Sequence, residues 1–360
     1  MRNALEEFLI RHIAAHGPMD VGRFMQIALT HPQYGYYMTR DPFGRSGDFI
    51  TAPEISQMFG EMIGVWAADI WNQMGAPAEF LLVECGPGRG TLMADILRAT
   101  KHISGFHAAA KVHLIEVSPA LKAVQKTVLG SYDVCWCDDV SALPSAAPII
   151  LIANEFLDAL AFRQLQKSDG QWFERVVTFD GQFGFALAPV ALQILQKIPQ
   201  RLLQEKDGAV YEFSPLRESF VAGLAQKIFA QNGAALLIDY GHITRSIGDT
   251  FQALKDNQYI DVFAAIGESD LTSHVDFEAL GVVARQEGLH VHDPAEQGAF
   301  LQALGIAARA DALQEKASAD QALGIKYSLR RLTDSSEMGS LFKVMCMSKY
   351  NDKNLKPAGF

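Results

Sequence analysis

Cysteine is scarce in this chain: Cys85, Cys135, Cys137 and Cys346 are the four among 360 residues. None stands in a C-x-x-C pair. Cys135-Trp136-Cys137 is too tight for a zinc knuckle, and no histidine cluster completes it. The expectation is therefore mostly buried, reduced thiols and no metal site. A long hydrophobic run is missing too. Without a stretch of about 18 apolar residues there is no candidate membrane span. Positive charge is in deficit, with a formal net charge of -10 and a pI near 5.5. That excludes the basic face of a general nucleic-acid binder. The first residues, "MRNALEEFLIRHIAAHGPMD", carry acids early and lack the apolar centre of a signal peptide. A cytoplasmic protein is expected, or one of the mitochondrial matrix if the chain was trimmed. Internal repeats and low-complexity tracts are absent.

What remains is enough for a large core, since 49% of the residues are hydrophobic. Residues 3–16 carry Leu5, Phe8, Leu9 and Ile13 at helical spacing. A second helix over about 20–30 starts after Asp20 as N-cap. "EISQMFGEMIGVWAADIW" then bears a long helical stripe. Between these helices, 31–54 is rich in Gly, Pro and Tyr and reads as an ordered functional loop. From 80 onward the pattern changes. "FLLVE", "KVHLIEV", "PIILIAN" and "AALLIDY" are short apolar runs suited to parallel strands covered on both faces. Helical segments separate the first three, so a doubly wound α/β sheet is expected. The step from "PIILIAN" to "AALLIDY" is long. "FRQLQ", "WFERVVTF" and "FGFALA", joined by "SDG" and "FDGQ", predict a β-rich insertion over about 160–235 that ends in helices. The stretch 240–275 reads as irregular, a helix follows over about 276–288, and "MGSLFKVMCMSK" reads as a final edge or hairpin strand. The expected division is a helical N-terminal region, 1–78, and an α/β domain, 79–360.

The turn "ECGPGRGT" carries the chemistry. Gly86, Gly88 and Gly90 stand at alternate positions, and Thr91 takes the place of the third glycine of a dinucleotide fingerprint. Glu84 closes the strand. This arrangement resembles the first motif of class I S-adenosylmethionine (AdoMet) methyltransferases. The fit is physical: AdoMet brings an ammonium rather than a pyrophosphate, and Glu84 stands where a carboxylate would hold it. Glycines let the backbone approach where a Cβ would clash. Glu116, at the end of the next strand, suits the two ribose hydroxyls, a role that NAD enzymes share. Asp138 in "CWCDDV" suits the adenine amino group. Asp139 competes for that role, and either acid is also a ready N-cap.

The fourth strand runs out into Asn154-Glu155-Phe156-Leu157-Asp158, where open α/β sheets bind their ligands. The prolines of the Asn/Asp-Pro-Pro-aromatic turn used on amides and base amines are missing. Glu155 and Asp158 instead suit a cation, and a guanidinium fork matches paired carboxylates. The alternative is that Asp158 caps a helix and Glu155 is merely exposed.

Several stretches together are similar to the MidA family, which includes a mitochondrial complex I assembly factor that methylates a protein arginine. They are "HPQYGYY", "SGDFITAPEISQMFGEMIGVW", "ECGPGRGTL", "IEVSPALKAVQ", "ANEFLDALAFRQ", "WFERVV", "LLIDYG", "DLTSHVDF" and "EMGSLFKVM", in family order over roughly 31–345. The resemblance implies a class I (Rossmann-like) fold, AdoMet as cofactor, and arginine of a respiratory-complex protein as acceptor. The double-glutamate loop and Thr-His-Trp signature of familiar arginine methyltransferases are both lacking. "SGDFITAPE" is among the strongest matches. Gly47, Asp48 and Thr51 are expected to fold over the methionyl end of the cofactor, with Asp48 joining Glu84. Against this stands a plain helix entry capped by Ser46 or Thr51. Two other classes stay open: an AdoMet-binding assembly chaperone without turnover, and a small-molecule or RNA methyltransferase.

Overall fold

The computed structural model describes residues 2–39, 51–349 and 355–360. Its centre is the sheet that the apolar runs require. The long strands are β1 (Phe80–Cys85), β2 (Ala110–Ile115), β3 (Val134–Cys137), β4 (Ile149–Asn154), β5 (Gly233–His242), β6 (Leu289–Val291) and β7 (Phe342–Lys349). They lie in the order β3-β2-β1-β4-β5-β7-β6, with two-residue pieces at 275–276 and 295–296 added to β5 and β7. β1 to β5 run parallel, and β7 is antiparallel to both its neighbours. The strand order reverses between β1 and β4, which opens a crevice at their carboxyl ends. Alternate residues feed the two faces: Leu82 and Ile152 enter one core, Leu81 and Leu151 the other.

The final strand is not an edge. β7 is flanked by β5 and by β6, whose three residues are too few for a periodicity to reveal. Nor is 240–275 irregular. Strands at 252–255, 258–260 and 270–272 form a small sheet. Its hairpin turns on Asp256 and Asn257, both left-handed at φ +51° and +59°, as a two-residue hairpin needs. The cysteines are free thiols, with Cys85 and Cys346 inside the sheet, but Cys135 is exposed, because β3 is the edge strand.

Helix α1 (Ala4–His16) starts at a capping box between Asn3 and Glu6. α2 (Val21–Thr30) is capped by Asp20, which accepts from the Arg23 N–H. Both helices share a core with Phe162, with Val177 of the insertion and with Leu271 of the small sheet. The insertion itself is a sheet of strands 163–168, 171–180, 182–188 and 210–213, to which Met19–Asp20 is added. α3 (Gln57–Gln73) lies against α4 (Thr91–Thr100), the helix that follows the glycine turn. Gly60 and Gly64 permit the approach: a Cβ on Gly60 would stand 2.5 Å from the Asp95 Cβ. Glu61 locks the pair, accepting from Arg98 of α4 and, through both oxygens, from Arg309. α5 (Pro119–Val128) follows β2; α6 (Pro215–Gln231) and α7 (Phe277–Gln286) cover the opposite face of the sheet. α8 (Ala319–Thr333), unmarked in the sequence reading, reaches the N-terminal loop where Ser328 donates to the Ile55 carbonyl.

Candidate active site

β1 delivers its last residues to the crevice. Gly86, Gly88 and Gly90 all take positive φ, at +62°, +51° and +86°. At Gly86 the tightness is explicit, since a Cβ there would lie 2.8 Å from the Phe156 ring. The Glu84 side chain is buried beneath this turn, and its Oε2 has no hydrogen-bond partner among the described residues. Burial pushes its carboxyl up to about 8; the Met93 N–H opposes the rise and the nearby Glu116 adds to it.

Glu116 is buried one residue beyond β2. Its Oε1 accepts from the Ser118 N–H at 2.7 Å and its Oε2 from Gln125 Nε2 at 3.1 Å. Burial raises this carboxyl too. Gln125, fully buried on α5, also donates to the Gly88 carbonyl and accepts from Trp136 Nε1. One amide thus ties the glycine turn, the acid of β2 and the strand β3 together. The sequence reading passed over it.

The two acids after β3 separate. Asp139 caps the turn 140–142 by accepting from the Ser141 N–H. Asp138 is left to solvent, its side chain 78% exposed in an ion pair with Lys122. The structure does not bring Asp138 to the cavity wall, because Lys122 holds it outward.

Beyond β4, Asn154 Nδ2 donates to Glu155 Oε1, which also accepts the Ala52 N–H at 2.8 Å. Glu155 sits at φ +50°, a conformation that a non-glycine residue holds only when its surroundings impose it. It is half-buried rather than merely exposed, and burial pushes its carboxyl up to about 7. Asn154 Oδ1 is buried with no partner among the described residues. Asp158 is buried; it accepts from the Tyr240 hydroxyl at 2.6 Å and from the Ala159 N–H, with no helix following for it to cap. Beneath it, Asp239 Oδ2 accepts the N–H groups of Leu157 and Asp158. Thr51 is buried beside Glu84 and Gly88 and does not cap the short helix it precedes. Asp48, with Ser46 and Gly47, lies outside the described residues.

These groups share a cavity of about 560 Å³, the size of a cofactor or ligand site. Gly86, Gly88 and Glu116 of the cofactor side line it together with Glu155, Phe156 and Asp158, and with Tyr240, Tyr37 and Asp270. Tyr37 donates to Asp270 at 2.7 Å. Neither Tyr37, Tyr240 nor Asp270 was singled out by the sequence pattern, although "HPQYGYY", "LLIDYG" and "DLTSHVDF" contain one each.

Residues 62–295 match a family model described as "Putative S-adenosyl-L-methionine-dependent methyltransferase". Among curated proteins, the chain is 36% identical to the mitochondrial protein arginine methyltransferase NDUFAF7 homolog of Drosophila melanogaster, covering 96% of this chain and 84% of the relative. It is 33% identical to the protein arginine methyltransferase NDUFAF7 of Homo sapiens, covering 94% and 83%. Among solved structures, a COG1565 superfamily member from Burkholderia thailandensis bound to S-adenosyl-homocysteine superposes with a TM-score of 0.87 at 28% identity, covering 99% of this chain and 94% of that one.

Proposed function

We propose an arginine of a protein as the methyl acceptor, from the premise that the chain belongs to the MidA/NDUFAF7 family of S-adenosyl-L-methionine-dependent methyltransferases. The dependence on AdoMet suits the residues present. Glu84 Oε2 is a buried acceptor without a donor among the described residues, and an ammonium supplies one. Each Glu116 oxygen accepts one bond and keeps a lone pair for a ribose hydroxyl. The assignment we make is Glu84 to the ammonium and Glu116 to the ribose. Gly86, Gly88 and Gly90 give close backbone approach, and Thr51 and Asp48 belong to the methionyl end. Asp138 reaches the adenine amino group only by leaving Lys122.

The observation that carries the arginine reading is the acidic part of the cavity, where Glu155 and Asp158 stand beside the cofactor turn. An arginine side chain stays protonated at a pKa above about 12, so its nitrogens are poor nucleophiles. Carboxylates draw the positive charge onto the nitrogens they hold and leave electron density on the third. AdoMet supplies a methyl on a sulfonium: the nitrogen lone pair forms the N–C bond, and the C–S pair stays on sulfur as S-adenosyl-homocysteine. Glu155, with its carboxyl near 7, accepts the proton that the new N–C bond releases. Asp158, fixed by Tyr240, holds the guanidinium in line. The relatives' names give a protein arginine as the acceptor, and the resemblance to the MidA family implies a protein of a respiratory complex.

The test is transfer of labelled methyl from AdoMet into an extract of cells lacking this protein. Label that survives nuclease, disappears with protease and appears as methylarginine on hydrolysis supports the reading. Label in RNA or small molecules, or AdoMet binding with no transfer at all, overturns it in favour of another acceptor or of an assembly chaperone.

A further inference from the structure

Helix α8 carries apolar side chains on both of its sides. Ile325, Leu329 and Leu332 face the core. The outer side carries Leu323, Tyr327 and Arg331 at intervals of four, a single stripe along the helix. Leu323 is 53% exposed and Tyr327 64%, although the outward face of a helix is ordinarily polar. Arg331 is exposed as well, and it lines the cavity, so the stripe ends at the cavity mouth. Tyr259 and Leu341 also line the cavity with exposed side chains. The helix is basic on a chain of net charge -10, with Lys326, Arg330 and Arg331 against Asp320. Arg330 is matched by Asp334 and Glu337, whereas Lys326 and Arg331 have no hydrogen bond or ion pair among the described residues.

Arg331 completes the charge balance of the cavity. Glu116, Glu155, Asp158 and Asp270 line it, and Arg331 is the one Lys or Arg that does so among the described residues. Asp270 is engaged by Tyr37 and Asp158 by Tyr240. His274 is held toward its neutral form by burial. The charge of Arg331 reaches Glu155 and opposes the rise of that carboxyl. A guanidinium approaching Glu155 therefore meets a cation, which an anion beside it on the same substrate would neutralise.

We propose that the outer face of α8 docks the acceptor polypeptide and selects a segment with a carboxylate beside the target arginine and apolar side chains further along. This rests on the arginine reading and deepens it, from a protein arginine to one in an acidic and apolar setting. Arg331 takes the carboxylate as a charge-assisted pair. Tyr327 and Leu323 cover the apolar side chains. Leu323 stands about 12 Å along the helix axis from Arg331. An extended chain covers that distance in about four residues, so the recognised positions lie within one short segment. A small molecule held inside the cavity would leave Leu323 and Tyr327 in water, and a polypeptide that leaves the mouth along α8 covers them. A second copy of this chain is a poor occupant, because a two-fold pairing of the α8 faces sets Lys326 and Arg331 against like charges.

The experiment titrates the S-adenosyl-homocysteine complex with two short synthetic peptides and runs labelled methyl transfer alongside. Each peptide has a central arginine followed by leucines. One carries glutamate beside the arginine, and the other is the same peptide with lysine in its place. The glutamate peptide is expected to bind at least about tenfold more tightly, or about 1.4 kcal/mol. Arg331→Glu is expected to reverse that preference. Tyr327→Ala, at an exposed position, is expected to weaken the glutamate peptide about fivefold and to raise its KM more than it lowers kcat, with S-adenosyl-homocysteine affinity unchanged. Adding Leu323→Ala is expected to weaken it further. Equal affinity for the two peptides, binding of neither, a preference that survives Arg331→Glu, or wild-type binding in the Tyr327 and Leu323 variants overturns the docking surface alone. The expected pattern of binding with no methylarginine formed, in peptide or in extract, keeps the surface and overturns the reading of the acceptor.

Discussion

At the residue scale, the buried acids are the titratable levers. Glu84 has its carboxyl at about 8 in the folded chain, against about 4.3 for a free glutamate. Folding therefore binds a proton between those values, and the ligand-free protein loses stability as pH rises from about 4.3 through about 8. Glu84→Gln removes that slope, so thermal melts at pH 5 and pH 8 should draw together in the variant. AdoMet brings an ammonium that needs the ionised carboxylate. Its affinity should rise as pH climbs toward about 8, with release of a proton measurable by calorimetry in buffers of different ionisation enthalpy. The same variant should lose both the proton release and most of the affinity. Glu155 tests the chemistry. Glutamine keeps the contact with the Ala52 N–H and removes the charge. Methyl transfer should rise with pH through about 7 in the wild type. Glu155→Gln should fall at least about tenfold, or about 1.4 kcal/mol in the barrier, with AdoMet affinity nearly intact. Full turnover in the variant would return Glu155 to a structural role.

At the element scale, α6 anchors two loops that carry the acceptor side. Its Arg217 is buried and spans from 157–158 to 273–274 through the carbonyls of Leu157, Asp158, Ser273 and His274 and the Ser273 hydroxyl. The arginine thereby sets the exit of β4 against the residues that follow the strand 270–272. Arg217→Ala leaves several buried carbonyls without a donor. Each such loss costs about 1–3 kcal/mol, so urea unfolding should show a loss of at least about 3 kcal/mol. Methyl transfer should drop further than stability explains, through a raised KM for the acceptor. A variant with wild-type stability would mean that the two loops hold their positions unaided. Another element, the 31–54 loop, is where the sequence was most specific by resemblance. Of its predicted residues, Thr51 stands beside Glu84, and Asp48 lies outside the described part of the chain.

At the scale of the whole molecule, the cavity is walled by nearly every layer. The N-terminal helices, the glycine turn, β4, β5, the small sheet and α8 all contribute. A ligand seated there ties these parts together. S-adenosyl-homocysteine at about 100 times its Kd should stabilise the native state by about 2.7 kcal/mol, seen as a raised melting midpoint. NAD should leave the midpoint unchanged, since Thr91 stands where the third glycine of a dinucleotide fingerprint would pack helix against strand. A shift with NAD and none with S-adenosyl-homocysteine would contradict the cofactor. Among the described residues no helix is long and apolar enough to cross a membrane.

The sequence by itself determined the parallel strands, because apolar runs of five or six residues can satisfy both faces only inside a covered sheet. It determined the glycine turn with Glu84, and the acids at the ends of β2 and β4, because their place follows from where each strand stops. It did not reveal the strands of three or four residues at 252–255, 258–260, 270–272 and 289–291, which are shorter than any readable period. For that reason β7 read as an edge, and Asp270 lay in a stretch without pattern. Which partner each of two neighbouring acids takes was also beyond it: Asp138 pairs with Lys122 of α5, and Asp139 accepts from the Ser141 N–H. Tyr37 meets Asp270 across 233 residues, and Tyr240 meets Asp158 across 82. Pairings at that separation have no local signature, because they arise from how sheets and helices stack, so only the tertiary structure assembled the acidic wall of the cavity.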